Sequence, residues 1–329
     1  MRVRRPHRPF WLVIHFSRRR RVSLLILLTL LVFYGAWARG AKLPGHIWPV
    51  QTSRLPPLQQ LTDSDTSSLV DPHLYGAVPA DQLPWASDPP ERLTQLQQTH
   101  QATRLLAAFQ TTLPEPLFGE LANVQRAAQL LAGTVVMPGK VFSQNATVGP
   151  YTSQKGYQDG PMYVGSRVLP TEGGGVCKIA SNLYNVAVLS NLPIVERHPH
   201  SMMVPYVPPG QDATVYYGGK DFRFRNNQNT PIVIWAAVQE KTLYIAFYGQ
   251  YEPPRVHWHH HLMAVNPPPE QRLPNRSLPH GQERLVFPGY PSITVRTWLT
   301  IEEPGQPVQW KDLGVDYYRP LPRQIEYGP

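Results

Sequence analysis

The sequence has a single cysteine among its 329 residues, Cys177. A lone cysteine excludes an intramolecular disulfide, so the fold must depend on its buried core. The thiol is either buried and inert or reactive, and its neighbours have to distinguish these alternatives.

Acidic residues are absent from the first 21 positions. Eight arginines lie there, and removing them from the 31 Lys and Arg residues leaves 23 basic against 22 acidic side chains in the remaining chain. That remainder is nearly neutral, and no basic run follows Arg21. The sequence therefore argues against a nucleic-acid partner, which would require a basic face.

A hydrophobic run over residues 22–38 contains no charged side chain. Its length predicts a transmembrane helix, and the arginines before it place residues 1–21 in the cytoplasm. The small residues Ala36 and Ala38 also fit a cleaved signal peptide, but the run is longer than a typical signal-peptide core, so we favour a retained single-pass anchor. Both alternatives predict an extracytoplasmic domain, and the retained anchor places it at the cell membrane.

Composition divides the exported part into three segments. Residues 39–90 are rich in proline and polar residues, which predicts an extended linker. Residues 91–251 contain the main domain. Residues 252–329 form a second proline-rich segment with a small β appendage.

Periodicity predicts an α+β fold, with helices packed on an antiparallel sheet. One helix is expected to begin near Asp88 and to include residues up to Phe109. A second covers Leu121 to Leu131, and a third covers residues 176–190. Strands are expected at 203–207, 213–217, 220–225, 232–239, 242–249 and 292–301.

Three glycines precede Cys177, which falls in the first turn of the third predicted helix. Glycines allow close approach of the backbone, and a helix N-terminus favours a thiolate over a thiol. His198 and His200 follow and supply a candidate base. Asp212 or Asp221 then serves as the group that orients the histidine.

Several ordered motifs resemble the VanW-like family. They are PGKVFSQN at 138–145, VGP at 148–150, GGGVC at 173–177, SNLYN at 181–185, ERHPHS at 196–201, GQDATV at 210–215 and DFRFRNN at 221–227. The resemblance implies a cell-envelope protein connected with peptidoglycan. Some members are proposed to be cysteine L,D-transpeptidases.

Carried over to this chain, the resemblance implies Cys177 as the nucleophile and His200 as the base, and we assign Asp212 as the third catalytic residue. Lys178 follows the cysteine where the family usually has glutamine, which leaves the oxyanion donor open. The residues assigned to substrate binding are Gly173, Gly174, Gly175, Lys178, Ser181, Arg197, Ser201 and Asp221.

Four histidines occur within residues 257–261. The run has no carboxylate or cysteine nearby, so we interpret it as a solvated surface rather than a metal site. We expect neither a metal nor a cofactor.

The sequence thus predicts cysteine-dependent acyl transfer on peptidoglycan stem peptides or their precursors, with water or an amine as the acceptor. The alternative is a non-catalytic peptidoglycan-binding or glycopeptide-resistance accessory module. The oligomeric state is left open.

Overall fold

The computed structural model describes residues 55–164 and 167–329, and residues 56–329 form one compact unit. The predicted anchor at 22–38 lies outside the described residues. Within them, every helix is too short or too polar to span a bilayer.

Four α-helices occur in the described residues: α1 Glu91–His100, α2 Glu120–Leu131, α3 Gln144–Val148 and α4 Cys177–Leu189. The strands of the N-terminal and central parts are β1 Tyr75–Ala77, β2 Arg104–Thr112, β3 Thr134–Val136, β4 Val141–Ser143, β5 Asp159–Val164, β6 Arg167–Glu172, β7 Ile194–Glu196, β8 Arg223–Arg225, β9 Ile232–Gln239 and β10 Thr242–Gly249. The C-terminal strands are β11 Arg255–Asn266, β12 Glu270–Pro274, β13 Glu283–Phe287, β14 Ser292–Glu302, β15 Gln309–Tyr318 and β16 Arg323–Tyr327.

The strands form mostly antiparallel sheets, and helices are few. The largest sheet has the order β1-β2-β10-β9-β3, and smaller ones have the orders β4-β8-β7 and β5-β6. The C-terminal strands form two sheets, β11-β14-β15 and β12-β16-β13. The predicted α+β class therefore describes the molecule only loosely.

Strand β9 shows why the largest sheet forms. Its residues Ile232, Val233 and Ile234 are fully buried, and alternate side chains enter two different hydrophobic clusters. One cluster contains the apolar side of α4, and the other contains Trp85 and Leu93. The sheet is thus covered on both faces, and α4, which carries Cys177, lies against its centre.

The first helix is shorter than the spacing of its apolar residues predicts. Helix α1 ends at His100, and the next residue, Gln101, has a left-handed backbone with φ 51°. Leu106 and Phe109 lie instead on β2, which pairs with β10. Pairing with a buried strand outweighed the helical spacing of these two side chains.

Residues 56–90 are not an extended spacer. Val70 and Trp85 are buried, and β1 pairs with the edge of β2. The Trp85 indole donates to the Tyr248 hydroxyl over 2.7 Å. This proline-rich segment therefore packs on the domain that follows it.

The C-terminal region is larger than the predicted appendage, because β11 and β14 pair along almost their whole length. The histidines of 257–261 lie on β11 and not in a loop.

Two of the predicted strand regions differ from the structure. Residues 203–207 form turns instead of a strand, and the hairpin expected at 213–225 is reduced to one bridge between Tyr216 and Lys220. The strands predicted at 232–239, 242–249 and 292–301 are present as β9, β10 and β14.

Candidate active site

Cys177 is the first residue of α4 and is partly exposed. Its sulfur lies 3.3 Å from the Thr214 hydroxyl and 3.7 Å from the Val215 carbonyl oxygen. The 211–215 loop is held against α4 by Ser181, whose hydroxyl accepts from the Ala213 N–H and donates to carbonyl oxygens. Asn185 donates to the Gln211 carbonyl oxygen of the same loop. The helix therefore fixes both the thiol and the segment that carries Asp212.

His200 lies between the thiol and Asp212. Its Nδ1 is 2.6 Å from Asp212 Oδ2, and its backbone N–H donates to the same oxygen over 2.7 Å. The imidazole is also close enough to Cys177 for each group to shift the pKa of the other. Because Nδ1 faces the carboxylate, Nε2 is the ring nitrogen left for the thiol. The structure thus brings the three predicted catalytic residues together in the order Cys177, His200, Asp212.

The electrostatics favour charge separation within this group. Burial raises the pKa of Cys177, but the hydrogen bond and positive charge of His200 outweigh it and lower the pKa to about 7. Burial lowers the pKa of His200, but its hydrogen bonds to Asp212 and Cys177 raise it to about 9. Between these values the site holds a thiolate and an imidazolium, the form of a nucleophilic cysteine that is ready to react.

Asp212 stays ionised beside this pair. Burial raises its pKa, but the hydrogen bond and charge of His200, followed by Arg197 and Tyr318, lower it to about 2. A carboxylate that remains charged throughout the working pH range can hold the imidazole in one tautomer and stabilise its positive form.

The Lys178 ammonium is engaged in a largely buried ion pair with Glu120. It also lies 4.5 Å from the centre of the Tyr206 ring. The ion pair neutralises the positive charge of Lys178, so this side chain is not free to stabilise a developing oxyanion.

The three glycines before Cys177 approach other parts of the chain closely. A Cβ on Gly173 would lie 2.4 Å from Tyr151, and one on Gly174 would lie 2.3 Å from the backbone of Gly160. Gly175 has φ +100° and would meet the Glu120 side chain at 2.8 Å. Their contacts within the protein account for the small residues at these positions.

The remaining residues assigned to substrate binding also contact protein groups. Arg197 donates to Asp212 and Asp316, and the Ser201 carbonyl oxygen accepts from the Arg319 N–H. Asp221 accepts from the Ser143 hydroxyl and the Asn145 N–H. His198 pairs with Glu196 at 3.0 Å, so the two neighbouring histidines have different partners.

Two groups at the site come from β15, and the sequence analysis missed both. The Tyr318 hydroxyl donates to Asp212 Oδ1 over 2.5 Å, and Asp316 accepts from Arg197 over 2.6 Å. Tyr318 lies 106 residues after Asp212, and no motif connects the two positions. In the described residues, no cluster of three or more histidine, cysteine or acidic side chains is arranged to hold a metal.

Comparison with known proteins finds similarity over the part of the chain that contains these residues. The profile described as VanW like protein matches residues 119–248, which include Cys177, His200 and Asp212. Over 150 residues the chain is 38% identical to the uncharacterized protein YoaR of Bacillus subtilis (strain 168), covering 46% of this chain and 50% of that protein. Over 137 residues it is 26% identical to the vancomycin B-type resistance protein VanW of Enterococcus faecalis (strain ATCC 700802 / V583), covering 40% and 50%. The chain thus spans about half the length of these curated relatives.

Two solved G5 domains also align with the chain. The G5 domain of IgA1 protease is 18% identical, with 24% of this chain and 95% of that domain covered, at a TM-score of 0.16. A second G5 domain is 17% identical, with 22% and 99% covered, at a TM-score of 0.14.

Proposed function

Residues 119–248 form a VanW-like domain, and from that premise we propose that this protein acts on peptidoglycan stem peptides by cysteine-dependent acyl transfer. The observation that carries the proposal is the Cys177, His200 and Asp212 group, in which His200 bonds to Asp212 and shifts the pKa of the nearby thiol. A thiolate paired with an imidazolium is the arrangement from which acyl transfer through a thioester begins.

In the proposed reaction, the Cys177 thiolate attacks an amide carbonyl of the stem peptide. The carbon–nitrogen bond breaks, and the His200 imidazolium gives its proton to the leaving amine. An acceptor amine, or water, then loses a proton to His200 and attacks the thioester. The carbon–sulfur bond breaks and the thiolate is restored. An amine acceptor makes the reaction a transpeptidation, and water makes it a hydrolysis.

Two observations suggest a substrate in the cell wall: the name of one relative and the predicted membrane anchor. The Enterococcus faecalis relative is a vancomycin B-type resistance protein by name. Residues 22–38 are proposed to anchor the chain, with the domain outside the cytoplasm, where peptidoglycan is accessible. A reporter fused after Gly45 should then be active only outside the cytoplasm.

A non-catalytic role in peptidoglycan binding or glycopeptide resistance is the second candidate. An open groove near Asp221 is bordered by Ser143, Glu196, Tyr217 and Arg223. Tyr217 is 50% exposed, and an exposed aromatic ring beside polar groups suits a sugar or a peptide. The pairing of Lys178 with Glu120 also favours this candidate, because it removes one potential oxyanion donor.

The deciding experiment incubates defined muropeptides with the wild-type protein and with Cys177→Ala, and follows the products by mass spectrometry. Acyl transfer predicts new cross-linked or cleaved species with the wild type and none with the variant. The binding role predicts no products from either protein and equal affinity of both for immobilised peptidoglycan. An inactive wild type that still binds the wall would reject the catalytic proposal.

A further inference from the structure

Asp212 is fully buried, and each of its carboxylate oxygens has a separate set of partners. Oδ2 accepts from the backbone and ring of His200. Oδ1 accepts from the Tyr318 hydroxyl at 2.5 Å and from the Arg197 guanidinium at 3.1 Å. A carboxylate can rotate about its Cβ–Cγ bond unless both oxygens are held, so the orientation of Oδ2 depends on what binds Oδ1.

Tyr318 is well suited to hold that oxygen. It is the last residue of β15, it is fully buried, and its ring packs with Met203, Ile293 and Val295. Its hydroxyl also accepts from the Gly210 N–H over 2.7 Å. The hydroxyl is thus fixed from the backbone side and directed at Asp212.

The same strand holds Arg197. Asp316 lies two residues before Tyr318 and faces the same side, because alternate residues of a strand share a face. Its carboxylate accepts from Arg197, whose Nε donates to the Asp212 carbonyl oxygen over 2.8 Å. Beyond the end of the strand, the Arg319 N–H donates to the Ser201 carbonyl oxygen, next to His200. These contacts tie one edge of the C-terminal sheet to the site.

We propose that Tyr318 is a positioning residue of the active site, and that the C-terminal β region holds Asp212 in the orientation that His200 requires. Residues 255–327 then complete the site of the VanW-like domain, although Tyr318 lies outside the matched residues 119–248. The inference deepens the proposed function and rests on it for the role of His200.

The charged and titratable groups around the site are few. Arg197, Asp316 and Tyr318 face Asp212, and the pKa of Tyr318 is raised well above its ordinary value by burial and by the charge of Asp212, so its hydroxyl stays a donor. Tyr151 and Tyr206 lie near the thiol, and burial raises the pKa of both. Beside Tyr206 lies the ion pair of Lys178 with Glu120.

The test measures the rate at which iodoacetamide alkylates Cys177 from pH 5 to 10 in the full-length protein, which needs no substrate. Tyr318→Phe keeps the ring and removes only the hydroxyl. If Asp212 loses its orientation, His200 is held less firmly as a cation, and the midpoint of the alkylation curve should rise by about 0.5–1 pH unit. Tyr317→Phe is the matched control, because Tyr317 is the adjacent residue and is 56% exposed. Its curve should coincide with that of the wild type.

Other outcomes would overturn the inference. An unchanged midpoint in Tyr318→Phe, even with a lower melting temperature, would make Tyr318 a packing residue only. A lower alkylation midpoint in Tyr318→Phe would mean that the hydroxyl only weakens the negative charge that Asp212 presents to His200, and does not position it. Asp316→Asn is a second variant that should raise the midpoint by a smaller amount, and an unchanged midpoint there would also count against the inference. If the wild type does not turn over muropeptides, the proposed function is rejected. The alkylation result still tests the role of Tyr318, because it needs no substrate.

Discussion

Residues 119–248 and the C-terminal β region each contain a histidine with a strongly shifted pKa, and the two histidines have opposite charge preferences. Burial lowers the pKa of His200, but its hydrogen bond to Asp212 and the nearby Cys177 raise it to about 9. His260 on β11 is 7% exposed; burial lowers its pKa to about 4, although the charge of Asp63 opposes this. A hydrogen-bonded carboxylate favours the protonated imidazole of His200. Among the described residues the His260 ring has no such partner, and burial keeps it neutral.

The comparison shows that the number of histidines in a segment does not identify a site. The run at 257–261 has four histidines, but those on the exposed face of β11 contact backbone and side-chain oxygens, as His259 does with Asp63 and Thr300. The segment with two histidines contains the one that contacts the thiol. The partners of each ring therefore decide its chemistry.

The largest effect should come from His200→Ala. If His200 is the general base, turnover of a muropeptide should fall about 10²- to 10⁴-fold while the melting temperature changes little. His198→Ala is the matched control, because His198 lies two residues away and pairs with Glu196 instead. It should lose much less activity. Equal losses in the two variants would contradict the assignment of the base.

The charge of His200 should also be visible at the thiol without substrate. The ordinary pKa of the thiol is 9.0, and His200 lowers it to about 7 against the effect of burial. Because the thiolate forms above the pKa, the alkylation rate in the wild type should rise through about pH 7. His200→Ala should move the midpoint to pH 9 or higher and slow alkylation at pH 7 by about 10- to 100-fold. Mass spectrometry of the Cys177 adduct measures the rate. An alkylation midpoint that stays near pH 7 in His200→Ala would show that the His200 charge does not lower the pKa of the thiol.

Much of the candidate catalytic group could be predicted from the sequence, because its members lie in motifs close together in the chain. Cys177 follows three glycines at a helix start, and His200 and Asp212 lie in the next two motifs. Tyr318 could not be found in this way. Its contact with Asp212 depends on how β15 pairs within a separate sheet and where that sheet packs, and neither is encoded in a local pattern.

The errors in the fold have a similar physical origin. Leu106 and Phe109 have helical spacing, but β10 offers their segment a long pairing edge. Strand β11 lies in a proline-rich stretch and has four histidines within residues 257–261, which interrupt its hydrophobic alternation, and it forms because β14 pairs with it. The hairpin of β9 and β10 was predicted correctly, since both strands have strong hydrophobic patterns and a two-residue turn joins them.

A third prediction uses the neutral state of His260. Its pKa is about 4 in the folded protein, against an ordinary value of 6.5. Between these values the unfolded chain binds the additional proton, so acidification from pH 6.5 to 4 should lower the free energy of unfolding. His260→Gln should remove about 1–3 kcal/mol of this loss, as measured by urea unfolding at several pH values. His200 contributes a slope of the opposite sign near pH 6.5, and below about pH 5.5 it is protonated in both states and no longer contributes.

His257→Gln is the control for that measurement, since the His257 side chain is 55% exposed on the same strand. Its unfolding curves should fall with acidification as steeply as those of the wild type. A His260→Gln protein with an unchanged slope would show that His260 is protonated in the folded state, and the contrast with His200 would be lost.

The smallest effect is expected at Lys178, which follows Cys177 but whose charge is neutralised by Glu120. If His200 alone supplies the positive charge that the thiol senses, Lys178→Gln should leave the midpoint of the alkylation curve within about 0.3 pH unit of the wild type. The variant should still lose stability, because Glu120 would remain buried without its cation.

Glu120→Gln is the matching change in the partner of Lys178, and it leaves the lysine charge uncompensated near the site. A lower midpoint in Glu120→Gln together with an unchanged one in Lys178→Gln would show that the ion pair screens the lysine from the thiol. A clear rise of the midpoint in Lys178→Gln would instead make Lys178 a second source of the charge that now distinguishes His200.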